Sequence, residues 1–327
     1  MLERPTYLRE RPDMTVDPFS EILRLTKAES LVTGEFSASG RWAIRFPVPT
    51  KIKFFAIVKG TCVVRLDGHK EWSRFDVGDV GLLSAGKGFA IASHPNVKPV
   101  DAMPLFSGAG RSTAKIGDGS EFSYIGGHVL LDPTSGDLLA DVIPPWIHIG
   151  ASSPQAHAFR WLLEQLVEER ANPMPGGQLA SAQLAQLLFI QILRAHLASS
   201  NIDSASWLRA LGDPRVAPAL RLMHDNPARD WRLDELAKAS AMSRTTFAAH
   251  FKTVAGVAPL AYLTEWRMRL AGRALREEDK SVAELAHSLG YTSESAFSNA
   301  FKRVTGTSPR GFRSANRSAS RNATARL

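Results

Sequence analysis

The chain has 327 residues, of which 44% are hydrophobic and 22% are charged, and its formal net charge is +8. This length is enough for two domains with separate hydrophobic cores. The single cysteine, Cys62, excludes an internal disulfide framework and is typical of a reducing compartment. No apolar run reaches the ~20 residues of a membrane-spanning helix, and the N-terminus lacks the apolar core of a signal peptide. We therefore expect a cytoplasmic protein.

The positive charge is concentrated in the last third of the chain. From Arg215 onward the sequence holds 19 lysines and arginines against 10 aspartates and glutamates, whereas the preceding part holds 21 against 22. Such a basic region attracts the phosphates of nucleic acid. Because a basic surface also serves solubility, charge alone does not establish a partner.

The first half of the chain has the pattern of a β domain. Residues 1–16 are predicted to be a flexible tail, and a short helix is predicted from Pro18 to Lys27. Short β-branched or aromatic runs separated by Gly, Pro and Asp-Gly turns then predict strands at 31–37, 42–46, 52–58, 61–66, 80–83, 89–92, 122–125 and 128–131. Many short strands at regular spacing indicate a small barrel or jelly roll within residues 17–152.

The hairpin at Asp67-Gly68 and the segment from Phe75 to Leu83 resemble a cupin-type sensor domain. Cupins often bind a metal through histidines and a carboxylate. Relatives of this sensor type tend to have histidine where Phe55 and Phe89 stand here, so we expect no metal, no cofactor and no cupin-type enzyme activity. Cys62 could serve as a redox sensor, although its place in a strand favours a buried, unreactive thiol.

An apolar barrel interior would suit a small, largely apolar or aromatic effector. The alternative is that its aromatic side chains only fill a small barrel. The candidate pocket residues are Trp42, Phe54, Phe55, Trp72 and Phe89.

Residues 153–213 are predicted to form a helical coupling segment that ends in a polar hinge. Apolar spacing predicts helices at 158–170 and 179–198. The second helix is apolar around much of its circumference, which is more than contact with a barrel requires.

Residues 214–313 contain one pattern twice. Each copy has apolar residues at helical spacing, a serine where its second helix begins, and a Gly-x-x-Pro closure, which together predict a helix-turn-helix. The offset is 49 residues in the first helix and 50 from the second helix onward. The matching segments are 235–237 with 284–286 and 243–252 with 293–302.

A helix predicted from Pro259 to Glu278 joins the two copies. Its length of roughly 27 Å can hold the two second helices near the ~34 Å repeat of a duplex turn. Both could then enter successive major grooves on one side of the DNA.

The double unit and the segment from Gly290 to Lys302 resemble the DNA-binding domain of AraC/XylS-type transcription regulators, a subset of which carries a cupin-type sensor. The resemblance implies a DNA-binding regulator, more often an activator than a repressor, with double-stranded DNA, a small-molecule effector and RNA polymerase as partners. It also implies that the helical segment pairs two subunits in a homodimer, here through Leu184, Leu188 and Leu193. The alternative is that these helices merely cover the sheet.

Because the phenylalanines of each second helix must face inward, DNA contacts are expected at the outward positions, where the resemblance also places them. Base contacts are expected from the outward residues Arg244, Thr245, Ala248, Ala249, Glu294, Ser295, Ser298 and Asn299. Phosphate contacts are expected from the basic residues Arg244, Lys252, Lys302, Arg303 and Arg313. The alanines offer only apolar contact. Residues 314–327 are predicted to be a basic, disordered tail.

The predicted fold class is therefore α+β with two domains: an N-terminal cupin-like β-barrel, a helical coupling segment and a C-terminal all-α double helix-turn-helix. The predicted function is regulation of transcription by sequence-specific DNA binding, without enzyme activity. Two alternatives remain at this point, a cupin-type small-molecule enzyme tethered to DNA and a sequence-indifferent architectural DNA binder.

Overall fold

The structure, a computed structural model, describes residues 17–84, 86–106, 113–132, 136–172, 174–199 and 206–324. The predicted flexible tail at 1–16 and part of the predicted hinge lie outside these residues. The described chain forms two units, one within residues 26–203 and one that combines the C-terminal part from residue 206 with the N-terminal helix. No helix within the described residues combines the length and apolar composition that crossing a lipid bilayer requires.

The N-terminal helix, α1, spans Pro18–Leu25. The strands of the first unit are β1 (Glu29–Ala38), β2 (Ala43–Phe46), β3 (Ile52–Lys59), β4 (Cys62–Leu66), β5 (Ser73–Phe75), β6 (Val80–Leu83), β7 (Phe89–Ala92), β8 (Val100–Asp101), β9 (Thr113–Ile116), β10 (Phe122–Leu130) and β11 (Trp146–Ile149). Its helices are α2 (Met103–Phe106), α3 (Asp137–Ala140), α4 (Ala156–Ala171) and α5 (Gly177–Ala198).

The described strands of the first unit form two sheets. One has the order β11-β6-β3-β10-β1-β9 and the other the order β5-β4-β7-β2-β8. Neighbours pair antiparallel except for β1 with β9 and β2 with β8, which are parallel. The inner side chains of both sheets, among them Phe36, Ile44 and Phe75, form one buried cluster. This arrangement confirms the predicted cupin-like β domain.

Helices α4 and α5 of the first unit pack against each other, and α5 also lies against β1 and β11. Leu188 and Leu193 point into this packing and are fully buried, while Leu184 is half-buried and Leu187 is 38% exposed. The prediction of Leu188 and Leu193 as dimer contacts is therefore wrong, because neither side chain is available to a second subunit. Helix α5 packs within the first unit, against α4 as well as β1 and β11.

The second unit is entirely helical. Its helices are α6 (Trp207–Gly212), α7 (Ala217–Asp225), α8 (Leu233–Ala239), α9 (Arg244–Ala255), α10 (Pro259–Glu277), α11 (Val282–Ser288), α12 (Glu294–Thr305) and α13 (Pro309–Thr324). Helix α10 is central, because α9, α12 and α13 all pack against it. Its second half shares a buried cluster with α11 and α12 that includes Leu275, Leu285 and Phe301.

Helix α1 belongs to the second unit and packs on α7. The ring of His224 on α7 is fully buried, with Nδ1 2.9 Å from the Glu21 carboxylate and Nε2 2.8 Å from the Tyr262 hydroxyl. The same ring stacks on Trp266 at 4.1 Å between centroids. The predicted sensor boundary at residue 17 thus differs from this grouping, since a buried polar network ties α1 to α7 and α10.

The prediction that the chain is disordered from Ser314 onward is wrong for the described residues, which are helical. Helix α13 continues through Thr324. Its first part is anchored by Phe312, which packs against the cluster around α12, and the Asn316 amide donates to the Phe312 carbonyl at 2.8 Å.

Candidate nucleic-acid interface and ligand cavity

Local contacts determine where the second helix of each helix-turn-helix begins and ends. The Ser243 hydroxyl accepts from the Thr246 amide at 3.2 Å, and the Ser293 hydroxyl accepts from the Ala296 amide at the same distance. These N-caps satisfy amides that the first helical turn leaves free. Gly256 and Gly306 end α9 and α12 in the left-handed conformation, with φ of 83° and 78°. The predicted boundaries of both helices are confirmed.

The first helix of each unit also has an acidic cap. The Glu235 carboxylate accepts from the Arg232 amide at 2.9 Å, and the Glu284 carboxylate accepts from the Ser281 amide at 2.8 Å. A hydrogen bond to the charged form favours it. These backbone bonds therefore lower the pKa of Glu235 and of Glu284.

Each second helix buries one face and exposes the other. Phe247 and Phe251 of α9, like Phe297 and Phe301 of α12, are fully buried. Burial of these pairs leaves the opposite side of both helices for solvent. Eight of the predicted DNA contacts are exposed, namely Arg244, Thr245, Ala249, Lys252, Ser295, Asn299, Lys302 and Arg303, while Ala248, Glu294, Ser298 and Arg313 are half-buried.

Two predicted DNA-contact residues, Glu294 and Arg313, and one further residue of α9 already have protein partners. The Glu294 carboxylate lies 3.0 Å from Nη2 of Arg310, a residue that the sequence analysis did not select. The guanidinium of Arg313 donates to the Lys280 carbonyl. His250 on α9 pairs with Asp213 at 3.0 Å. Glu294 and Arg313 are thus partly engaged within the protein, whereas Asn299 has no protein partner within the described chain.

Arg267 on α10 is another residue that the sequence analysis missed. Its guanidinium donates to the carbonyls of Pro227 and Arg229, at 2.5 and 2.8 Å, and lies 5.8 Å from the centre of the Tyr291 ring. The Arg267 side chain therefore links the loop before α8 to the turn between α11 and α12. No local sequence signal marks this role, because the partners are far apart in the chain.

Between the sheets of the first unit lies a cavity of about 240 Å³. The predicted pocket residues Phe54, Phe55 and Phe89 line it, together with Phe46, Phe106, Tyr124, Lys53 and His128. Trp42 does not line it but packs edge-on against Phe36, 5.1 Å between centroids. Trp72 also lies elsewhere, with the guanidinium of Arg65 4.5 Å from its ring centre.

Gly81 determines how Phe55 lies in this cavity. Phe55 pairs with Gly81 across β3 and β6, and a Cβ atom at Gly81 would lie 2.5 Å from the Phe55 ring. The ring can therefore lie against the backbone of β6 only because residue 81 has no side chain. Within the described residues, no three His, Cys, Asp or Glu side chains come together in a way that could hold a metal ion.

Two other polar or reactive groups of this unit are structural. Burial, together with the carboxylates of Asp79 and Asp76, raises the pKa of the Cys62 thiol, which disfavours the reactive thiolate. Buried Asp79 accepts from the Ala151 amide at 2.6 Å and lies 3.0 Å from Nε2 of His148. Asp79 thus ties the turn before β6 to β11.

The comparisons with known proteins cover both units. The family described as Cupin matches residues 17–198, and the family described as Helix-turn-helix domain matches residues 236–315. An AraC-like transcription regulator of Streptomyces lividans is 39% identical over 298 residues, covering 91% of this chain and 98% of that protein. The HTH-type transcriptional regulator AlkR of Acinetobacter baylyi is 29% identical, covering 91% of this chain and 99% of that protein.

Among solved structures, the DNA-binding domain of AdpA in complex with a target DNA is 32% identical, with a TM-score of 0.32, and covers 33% of this chain and 96% of that chain. The sequence matches confirm the family resemblance that the duplicated unit and the β domain indicated. This chain belongs to the AraC-like transcription regulators, with a cupin domain at its N-terminus and a DNA-binding helix-turn-helix domain at its C-terminus.

Proposed function

We propose that this protein activates transcription in the cytoplasm by binding specific DNA sites through α9 and α12, under the control of a small molecule bound in the cavity of the first unit. The DNA-binding part is carried by one observation. Both serine-capped helices bury two phenylalanines on one side and expose polar and basic side chains on the other. The units that contain these helices are joined by α10, whose 19 residues span roughly 28 Å, a length that could hold the two helices near the ~34 Å repeat of a duplex turn.

Base recognition is assigned mainly to α12. The exposed Asn299 amide can donate to and accept from adenine in the major groove, and Ser295 and Ser298 offer hydroxyls. Helix α9 offers Thr245 with Ala248 and Ala249, whose methyl groups suit contact with thymine. The ion pair with Arg310 leaves Glu294 less free to accept from cytosine.

Phosphate binding is assigned to the exposed basic residues of both helices. Arg244 is the first residue of α9, where the helix dipole disfavours a positive charge by a few tenths of a kcal/mol. An arginine at this position costs stability in the free protein, and a bound phosphate would offset that cost. Lys252, Lys302 and Arg303 extend the same basic surface, with a smaller part for Arg313 because its guanidinium is held by Lys280.

Selection of binding sites from random duplexes, followed by the Asn299→Ala variant, tests this assignment. We expect the variant to lose about 1–3 kcal/mol of discrimination at one base pair of the site. Ala249→Gly, at the equivalent position of α9, should change base preferences much less, because it removes only one methyl contact. Recovery of no preferred site would support an architectural DNA binder instead, and equal effects of the two substitutions would contradict the unequal roles.

The effector part is carried by the aromatic cavity. Phe55→Ala and Phe89→Ala are expected to change the response of a reporter gene to cell extract, while the melting temperature of each variant reports whether its fold is retained. Unchanged induction in both folded variants would contradict an effector site in this cavity. Reporter output that falls when the protein binds its site would contradict activation through RNA polymerase.

Homodimer formation is proposed for the outer face of α5, with the half-buried Leu184 and the exposed Leu187 one turn apart. Leu187→Glu is expected to shift the sedimentation coefficient toward the monomer. Gln178→Glu adds the same charge at an exposed site on the opposite side of α5 and should leave the assembly unchanged. A dimer that persists in Leu187→Glu would contradict this interface.

A further inference from the structure

The space in the cavity comes from two glycines that face each other. On the inner face of the six-stranded sheet, Phe36 pairs with Tyr124, and the next pair toward the open end is Gly34 with Gly126. Gly126 also pairs with Phe55 on β3. Because neither glycine has a side chain, the layer above the Phe36–Tyr124 pair is filled from one side only. The two glycines therefore leave space in this layer of the interior.

The next layer places two basic side chains side by side. His128 pairs directly with Lys53, and both continue the inner-face alternation of Tyr124 and Phe55. Lys53 is half-buried, its ammonium lies 4.9 Å from the centre of the Phe46 ring, and it makes no ion pair with any described residue. Like-charged groups directly opposite each other in a sheet are destabilising.

Electrostatics at this layer disfavour positive charge on both side chains. Burial lowers the pKa of Lys53, and burial together with the charges of Lys51 and Lys53 lowers the pKa of His128. The described residues that line the cavity include no aspartate or glutamate. A half-buried ammonium without a counter-ion is costly, and an anion from outside the protein would offset that cost.

The aromatic walls have a matching geometry. The rings of Phe46 and Phe89 stack with 16° between their planes, and Phe55 and Phe89 are nearly parallel at 6°, with centroids 6.2 Å apart. A cavity of roughly 150 Å³ takes up benzene, so the larger volume of about 240 Å³ leaves room for a substituted or fused ring.

We infer that the cavity binds a flat, apolar molecule with a single carboxylate, whose ring system lies against Phe46, Phe55 and Phe89 and whose carboxylate pairs with the Lys53 ammonium and accepts from the His128 ring. The inference rests on the proposed role of this cavity as the effector site and adds the chemical class of the effector. Recognition of the carboxylate by Lys53 distinguishes it from a purely hydrophobic ligand.

Titration calorimetry on the full chain with 2-naphthoate and its neutral amide, 2-naphthamide, tests this inference. We expect the carboxylate to bind about tenfold or more tightly than the amide, because a hydrogen bond to a charged group contributes more than a neutral one. In Lys53→Met the two affinities should come within about twofold of each other. Lys51→Met is the matched control, since Lys51 is exposed and does not line the cavity, and it should preserve the preference.

A second variant locates the ring. A Cβ atom at Gly126 would lie 3.2 Å from the Tyr124 ring, so Gly126→Ala narrows the cavity. It should weaken both probes by similar factors and keep the preference for the carboxylate. The ligand-free Lys53→Met protein should melt about 1–4 °C above the wild type, because the substitution removes an uncompensated charge. That rise shows that the variant is folded when its selectivity is measured.

The possible failures are distinguishable. Equal affinities of the wild type for both probes, or a preference that survives Lys53→Met, overturn the carboxylate assignment while an apolar effector site stands. Binding of neither probe, or binding unaffected by Gly126→Ala, overturns the inference, whereas the proposed effector role is judged by the induction response of the Phe55→Ala and Phe89→Ala variants. The DNA-binding proposal depends on none of these results, since it is tested with Asn299→Ala.

Discussion

The two helix-turn-helix units share a scaffold but differ in their turns and in the chemistry of their exposed faces. Both have a serine N-cap, a left-handed glycine at the end of the second helix and a buried phenylalanine pair. The turn between α8 and α9 contains Ala241 at a φ of 51°, whereas the turn between α11 and α12 contains Gly290 at a φ of 80°. At the start of the second helix, Arg244 in one unit corresponds to Glu294 in the other. The comparison teaches that local geometry is repeated where burial demands it, while exposed positions diverge.

The largest expected effect concerns the turns. A Cβ atom at Gly290 would lie 2.0 Å from the Ala228 carbonyl oxygen. Gly290→Ala should therefore destabilise the C-terminal unit by roughly 3 kcal/mol, since left-handed strain is added to a backbone clash. Ala241→Gly, at the equivalent position, relieves strain and should stabilise by about 0.5–1 kcal/mol. Urea unfolding measures both changes, and effects of the same sign would contradict the proposed difference between the turns.

The charges at the helix starts come next. Arg244→Ala is expected to weaken binding to all duplexes and to reduce the slope of log affinity against log salt by about one, because one phosphate contact is lost. Glu294→Ala should leave that slope unchanged or strengthen binding, since it removes a negative charge from the interface. Fluorescence anisotropy at several salt concentrations measures the slopes. A parallel loss in both variants would mean that the two helices contact the backbone in the same way.

The serine caps should behave alike in the two units. Ser243→Ala and Ser293→Ala are each expected to cost about 1 kcal/mol of unfolding free energy, because each leaves a first-turn amide without its acceptor. Asn299→Ala, at an exposed site inside α12 where the side chain has no partner among the described residues, is the control and should cost less. Unequal costs of the two cap substitutions, measured by thermal unfolding, would show that the caps are not equivalent.

The smallest expected effect is the response to acid. The backbone bonds to Glu235 and Glu284 lower the pKa of each carboxyl below the ordinary value of 4.5, so the charged form is favoured in the folded state. Their contribution to stability is complete above that value and is lost as the pH falls through the lowered pKa. Glu284→Gln should therefore lose less stability than the wild type below about pH 4.5. Glu235→Gln should behave in the same way, and identical acid profiles for wild type and variants would contradict the assignment.

In the N-terminal β domain, strands with a continuous apolar run were predicted well, and several short strands without one were missed. The strands Val80–Leu83 and Phe89–Ala92 match their predicted ranges, because four consecutive buried residues mark them. The predicted strands at 122–125 and 128–131 are one strand, β10, since Gly126 and Gly127 continue its pairing with β1 and β3. Strands β5, β8, β9 and β11 have at most four residues and form only through their neighbours.

The candidate sites were predictable to different degrees. The exposed positions of α9 and α12 follow from helical spacing and the inward phenylalanines, so most predicted DNA contacts are indeed on the surface. The contacts of Glu294 with Arg310 and of Arg313 with the Lys280 carbonyl were not predictable, because the partners lie on another helix or in a distant loop. In the cavity, Phe55 and Phe89 were found from the cupin resemblance and Phe54 as an aromatic residue of a predicted strand, whereas Trp42 and Trp72 could not be excluded without the strand arrangement.

The sequence by itself determined the duplicated helices and their caps, because these depend on contacts within about four residues along the chain. It determined the class of protein through its resemblance to AraC/XylS-type regulators. Only the tertiary structure decided that Leu188 is buried, that α1 joins α7, and that Lys53 lies beside His128. Each of these contacts joins segments that are distant in the chain. Their partners are selected by the register of strands and the burial of whole faces, and a local pattern does not carry that information.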